Sequence, residues 1–310
     1  MKRYIQFAIA ILVLGVAATA APLSSTAKNV IPAEVQQIIT VDYRAMNNSP
    51  TALALKDKVM PDALKDLEHS LKTAGIDANK DVEQLVFATF RQKGGLKVVG
   101  VAQGTFPGTK LMLRLKTQKI KGAKYRDSFI YPMSGGLDMS LIDDNTMVFG
   151  ANEAVKAALD ARDGIGRSLN ANSSMTDMAQ SVETEMIWSI LDQTGTQYML
   201  KSALGDAAEL ADYEVVKNRL KGSRYKMKFD SGVNFDMDVL TSDSITAATL
   251  SSILKAGVLF RKATAKETEK TALEAVDVKA DSSNLQLKFK TDDNKFQALL
   301  SSDLFTAVSK

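Results

Sequence analysis

The sequence predicts an α+β protein of two similar halves, each an antiparallel or mixed sheet of hairpins with helices packed on one face. Three observations carry that prediction. Short β-branched and apolar runs recur in pairs around turn residues such as Lys93-Gly94-Gly95 and Asp143-Asp144-Asn145, the pattern of hairpins. Between the pairs stand longer segments whose apolar residues return every three or four positions, the period of a helix. Two stretches, KGAKYR at 121–126 and KGSRYK at 221–226, share a spelling, and each leads from helical periodicity into a strand.

The elements follow in order. Residues 38–43 are β-branched and apolar and read as a strand. Ser49 then suits a helix N-cap and Pro50 the first helical position, where a missing N–H costs nothing. Leu53, Leu55, Val59, Leu64, Leu67 and Leu71 carry the helical period to Gly75, a C-cap, with Pro61 kinking the run. Strands at 82–91 and 96–104 flank Gly94-Gly95, which allow the positive φ of a tight turn. A helix runs from Pro107 to about Gln118. KGAKYR then enters a strand through 129–131, a hairpin follows at 137–142 and 147–150, and Asn152 caps a helix to Asp163.

Residues 164–183 are rich in Gly, Ser and Asn and read as a linker between a first half at 30–163 and a second at 184–310. The second half repeats the grammar. It has a strand at 185–191, helix from about 196 to 220 interrupted near Gly205, and strands at 225–229 and 233–240. A helix at 245–262, a hairpin at 273–280 and 285–290, and a closing helix at 295–308 complete it. In this reading both Lys-Gly pairs end a helix and both tyrosines begin a strand. Strand alternation then places Tyr225, Met227 and Phe229 inward and Arg224, Lys226 and Lys228 toward water.

The first twenty residues read as a secretory signal: Lys2 and Arg3 lead, residues 7–18 form an apolar run, and Ala18-Thr19-Ala20 has the small-x-small cleavage pattern. The run is short for a membrane span, which needs about 20 apolar residues; an uncleaved N-terminal anchor is the alternative. The expected location is therefore the periplasm or the cell exterior. The chain has no Cys, so it has neither a lipobox nor a disulfide, and stability must come from its core. Its 310 residues, 45% hydrophobic and 24% charged, allow one. The formal +3 includes Lys2 and Arg3; without them 37 basic side chains face 36 acidic ones, a net of +1. A nearly neutral exported chain gives no reason to expect nucleic acid as a partner.

The stretch GIDANKDVEQLVFATF, followed by a glycine hairpin, GVAQGTF and SFIYPM…DMSLIDDNTMVFGANEAVKAALD, resembles a broad class of uncharacterised exported bacterial proteins. The resemblance covers roughly residues 75–161. It implies an exported, duplicated α+β protein that binds a partner or belongs to the envelope. It assigns no enzyme activity and no catalytic residue.

Catalytic signatures are sparse. His69 is the single histidine and follows Glu68 on the polar part of a helix. With one His and no Cys, the usual zinc sites and thiol chemistry are excluded. There is no Gly-x-Ser-x-Gly elbow, P-loop or His-Glu-x-x-His. Ser252 and Lys255 match Ser-x-x-Lys, but the supporting Lys-Thr-Gly is missing. Asp236 and Asp238, two apart on a strand, share a face and could divide acid and base roles in a carboxylate-dependent hydrolase, the alternative function. Asp77, Asn79, Asp81 and Glu83 resemble the start of a calcium loop, but Val82 stands where glycine is needed. No metal or cofactor is expected. Scattered Met residues and Trp188 read as core.

The clearest binding signal is basic. Lys110, Arg114, Lys116, Lys119, Lys121, Lys124 and Arg126 form one run without an acid, and Lys217, Arg219, Lys221, Arg224, Lys226 and Lys228 a second. Lys119, Lys121, Lys124, Arg126, Lys221, Arg224 and Lys226 are the candidate anion-binding residues, expected to act together. Their partner would be anionic lipid, glycan or another envelope protein, met peripherally rather than by membrane insertion. The bland reading is a solvated face whose acids arrive through the fold. Together these features predict an exported, non-catalytic binding or envelope-structural factor. N-terminal sequencing of protein from its native host should start at Ala21; a start at Met1 refutes cleavage.

Overall fold

The computed structural model describes residues 21–59, 62–204, 213–229, 232–264 and 267–300. The signal-like segment, the Gly205 break and the last ten residues lie outside them. Among the described residues twelve strands pair in one sheet: β1 (Val35–Asp42), β2 (Val82–Gln92), β3 (Gly95–Gly104), β4 (Ala123–Tyr125), β5 (Ser128–Pro132), β6 (Asp138–Asp143), β7 (Thr146–Gly150), β8 (Ile187–Asp192), β9 (Leu220–Lys228), β10 (Val233–Thr241), β11 (Val276–Asp281) and β12 (Asn284–Thr291). Their order is β11-β12-β10-β9-β8-β1-β2-β3-β7-β6-β5-β4. All pairings are antiparallel, so the sheet is not mixed. From the β1–β8 seam outward, β1-β2-β3-β7-β6 and β8-β9-β10-β12-β11 follow the same sequence of positions, and β5-β4 extend only the first group. The architecture is α+β, and the two groups share one continuous sheet rather than enclosing a cleft.

Helices cover both faces of the middle of this sheet, a correction to the expected single layer. The strands explain it. In β2 and β3 both sets of alternate residues are apolar, as in a sheet buried on two sides. Val86, Ala88, Phe90, Val99, Val101 and Ile190 pack with helices α1 (Ser25–Val30), α7 (Asn152–Arg162) and α8 (Ser173–Gln180). Leu85, Ala102, Met147 and Phe149 face the other way, under α2 (Tyr43–Asn47), α4 (Asp62–Ala74) and α6 (Gly108–Thr117). On that second face, Met237, Val239, Val278 and Leu285 pack against α9 (Gln193–Leu204), α10 (Tyr213–Lys217) and α11 (Ser244–Thr264).

The expected linker at 164–183 is a packed part of the core. Leu169, Met175 and Ala179 are buried with Ile38 and Trp188. Leu169 N donates to Ile31 O at 2.7 Å and Ala33 N to Arg167 O at 2.9 Å. Its Gly/Ser/Asn composition serves caps and turns: Asn172 caps α8 by accepting from Met175 N. The first half likewise begins before residue 30, because Leu23, Ala27 and Val30 belong to the same core.

The two similar stretches are not equivalent. KGAKYR precedes and forms β4, at the outer end of the sheet, whereas Lys221 and Gly222 lie inside β9, beside β8. The helix expected to continue to 220 ends with α10 at Lys217. Spelling is shared; position is not.

A second tie joins the groups. In α3 (Pro50–Val59), Thr51 hydrogen-bonds Asp293 of α13 (Asp293–Leu300), the helix after α12 (Glu267–Glu274). The Phe229 and Phe296 rings meet at 6.5 Å in the same region. Unfolding should therefore occur as a single thermal transition; two separated transitions would show independent units. Trp188, fully buried at the seam, should cost about 3–5 kcal/mol on replacement by Ala, measured by denaturant unfolding.

Candidate functional site

The first basic run bends around the end of α6. Leu111 and Leu115 anchor that helix in the core while Arg114 and Lys116 occupy its last turn. The helix stops at Lys119, whose φ of 58° is left-handed, with Ile120 N donating to Leu115 O at 2.9 Å. Lys121 and Lys124 then lead through β4, which among the described residues pairs only with β5. Arg126 is neutralised: its Nε lies 2.6 Å from Asp160, whose carboxylate also accepts from the Tyr125 hydroxyl. Lys110, Lys116, Lys119, Lys121 and Lys124 are exposed and form no ion pair among the described residues. Lysines on an edge strand also discourage pairing with another chain.

The second run has acids beside it. Arg224 Nε donates to Asp238 at 3.0 Å; Lys226 and Lys228 reach Glu185 at 3.4 and 2.7 Å; Arg219 lies 3.5 Å from Asp243, and Lys217 pairs with Glu214. Lys221 is exposed. The register extends the pattern: Asp236 stands between Lys226 of β9 and Lys288 of β12, and Lys288 faces Asp277 of β11. Cationic and acidic columns alternate across this face, which no described helix covers with a hydrophobic cluster. The two runs stand far apart on the sheet. Eight strand positions separate β9 from β4, roughly 38 Å at ordinary strand spacing.

The other candidates have structural partners. Asp236 and Asp238 do share a face, but as the acidic column just described. Asp77 caps the short helix α5 (Ala78–Asp81) and pairs with Lys80, Asp81 accepts from Asp77 N, and Glu83 pairs with Arg44. Ser252 donates to Ala248 O on α11. His69 is exposed on α4. Among the described residues no group of three His, Cys, Asp or Glu could hold a metal.

Arg114 of the basic run also enters a cleft of about 410 Å³, lined by Tyr43, Glu68, Lys72, Gly75, Asn79 and Arg114 among others. Tyr43 is buried and its hydroxyl donates to the Glu68 carboxylate. Burial, with Glu68 beside it, pushes the Tyr43 hydroxyl well above the usual tyrosine range. Gln118 Nε2 donates to Thr73 O at 2.7 Å and holds the end of α6 against α4. Gly75, with φ of +85°, lets the Arg114 side chain lie across it: a Cβ there would stand 2.8 Å from Arg114 Cδ and Nη1. Two cations, Lys72 and Arg114, thus line the same cleft as the Glu68 carboxylate. The cations of this cleft favour an anionic group there. Sequence reading found Arg114 but not the rest, since nothing local links Tyr43 to Glu68 or Lys72.

Fold and site together define an α+β protein on a single antiparallel sheet with a basic corner and an adjoining charged cleft. No protein-family model matches the chain, and no curated protein matches it. Among solved structures it is similar to crystal form I of TP0453, with 9% identity and a TM-score of 0.49 over 92% of this chain and 98% of that chain. Crystal form IV of TP0453 gives 9% identity and a TM-score of 0.46 over the same shares. Likeness at this level carries no argument about function.

No described helix is long and apolar enough to cross a membrane. Gly75→Ala should lower stability by about 1–2 kcal/mol through the left-handed backbone alone. Adding Arg114→Ala should relieve the steric part and leave that backbone cost, as thermal unfolding of the single and double variants will read.

Proposed function

We propose that this chain is an exported binding factor rather than an enzyme, and that it holds anionic groups of the cell envelope at the α6–β4 corner. One observation carries the reading: four exposed lysines around that corner, Lys116, Lys119, Lys121 and Lys124, have no ion pair among the described residues, while most of the second basic run lies beside acids. Phosphate and carboxylate are the groups that such a surface attracts. Each lysine near an anionic surface contributes about 1 kcal/mol, and the attraction decays over a Debye length of about 10 Å at 0.1 M salt. Contact is peripheral. The signal-like N-terminus supports delivery to the envelope.

The test uses the chain beginning at Ala21 with phosphatidylglycerol vesicles at low ionic strength, phosphatidylcholine vesicles serving as the neutral control. Binding should appear with the anionic lipid alone and fade near physiological salt. Replacing Lys119, Lys121 and Lys124 by Gln should weaken it by up to about 100-fold. Replacing Lys226 and Lys228 by Gln should change it little. Equal binding by the corner variant, or no binding by the parent, refutes the reading.

A further inference from the structure

Gln84 is almost fully buried at the start of β2 and uses its amide unevenly. Nε2 donates to Ala21 O at 2.8 Å, while Oε1 is buried with no hydrogen-bond partner. Gln103 stands directly opposite on β3, and its Oε1 is also buried and unpartnered. Directly opposed residues have Cβ atoms about 5 Å apart, so the two glutamines form one patch with two unserved acceptors. Thr40, diagonal to Gln84 on β1, carries a buried unpartnered hydroxyl, but it can itself donate and stands opposite Trp188, whose Nε1–H is also unpartnered. Leaving buried acceptors unmade costs free energy, and the two glutamine oxygens at one end of one sheet face call for a donor.

The segment beside this patch is the one expected to become the amino terminus. Ala21 is hydrogen-bonded to Gln84 through its carbonyl, Leu23 is buried in the core, and Ser24 caps α1 by accepting from Ala27 N. Only the Ala21 backbone separates its nitrogen from that hydrogen bond. In the uncleaved chain this nitrogen is an amide with one N–H. Addition of water across the Ala20–Ala21 bond leaves a carboxylate on Ala20 and an ammonium, with three N–H donors, on Ala21. Asp42, opposite Gln84 in the register, adds acidic character at the same end; its Oδ1 accepts from Ala45 N.

We infer that Gln84 and Gln103 form a binding site for a primary ammonium group, filled by Ala21 once residues 1–20 are removed. The inference rests on the export reading for the cleavage point, not on the anion-binding corner. Its consequence is that processing completes the fold. The uncleaved precursor keeps unserved acceptors and is less stable, which suits a chain that must cross a membrane before it folds. Cleavage supplies the donors and fastens α1 to the sheet.

The test compares two recombinant proteins, one beginning with a free amine at Ala21 and the same chain acetylated at that amine. The free-amine protein should melt about 2–4 °C higher. Gln103→Leu supplies the second readout, because it removes an acceptor without touching the Gln84–Ala21 hydrogen bond. It should destabilise the free-amine protein, yet be neutral or stabilising in the acetylated one, where it deletes only an unserved buried oxygen. Equal melting of the two parents, or a Gln103→Leu shift of the same sign and size in both, overturns the site. Because both termini are defined in the laboratory, a native amino terminus other than Ala21 would sink the cleavage reading separately.

Discussion

The pairing of β1 with β8 is the contact on which the rest depends. β1 belongs to the N-terminal group, yet it hydrogen-bonds β2 on one side and β8 on the other. Backbone groups on both edges of β1 are therefore satisfied by one strand from each group, and an unsatisfied sheet edge in a core is costly. Trp188 and Thr40 face each other across this seam, and Gln37 Nε2 reaches Ser189 Oγ at 3.4 Å. Arg91 adds a 2.6 Å ion pair to Asp192 at its end. If β1 and β8 parted, Ile38, Ile190 and Trp188 would be stripped of cover together, which is why one sheet, rather than two domains, results.

The seam also explains the layers. Because the sheet continues through it, a helix from one group can cover strands of the other, and α8, from the segment between the groups, packs with Ile38 as well as Ile190. On the same face beyond β9 the apolar cover ends, and the strands switch to alternating charge: Arg224 with Asp238, then Asp236 with Lys288. Exposed pairs of this kind contribute little stability individually. Their effect is to keep a wet sheet face soluble and nearly neutral.

The basic corner differs by geometry, not by composition. KGAKYR and KGSRYK carry nearly the same side chains, but β9 has acidic β10 beside it, while β4 ends the sheet and has one described neighbour only. Asp160 reaches Arg126 from α7 and no described acid reaches Lys119, Lys121 or Lys124. Position in the strand order decides which cations remain available. The Arg114 cleft follows from the same corner, since α6 must turn at Lys119 to enter β4 and thereby leaves its last turn against α4.

The sequence by itself determined the local elements. The β2–β3 hairpin at Gly94-Gly95, the Asp143–Asn145 turn, the stop at Gly75 and the existence of α7 were legible, because a turn or a hydrophobic period is written within a few adjacent residues; the expected Asn152 cap was not, since Asn152 is the first residue of the helix and Ala151 precedes it as N-cap without a side-chain bond. The α+β class followed from them. Tertiary structure alone decided that residues 164–183 pack into the core, that helices cover both faces, and that Tyr43, Glu68, Lys72 and Arg114 meet in one cleft. It also decided that Arg224 finds Asp238 and Lys124 finds no described acid. These outcomes depend on which distant strands become neighbours, and side-chain alternation fixes the face of a residue but not the strand that will lie beside it.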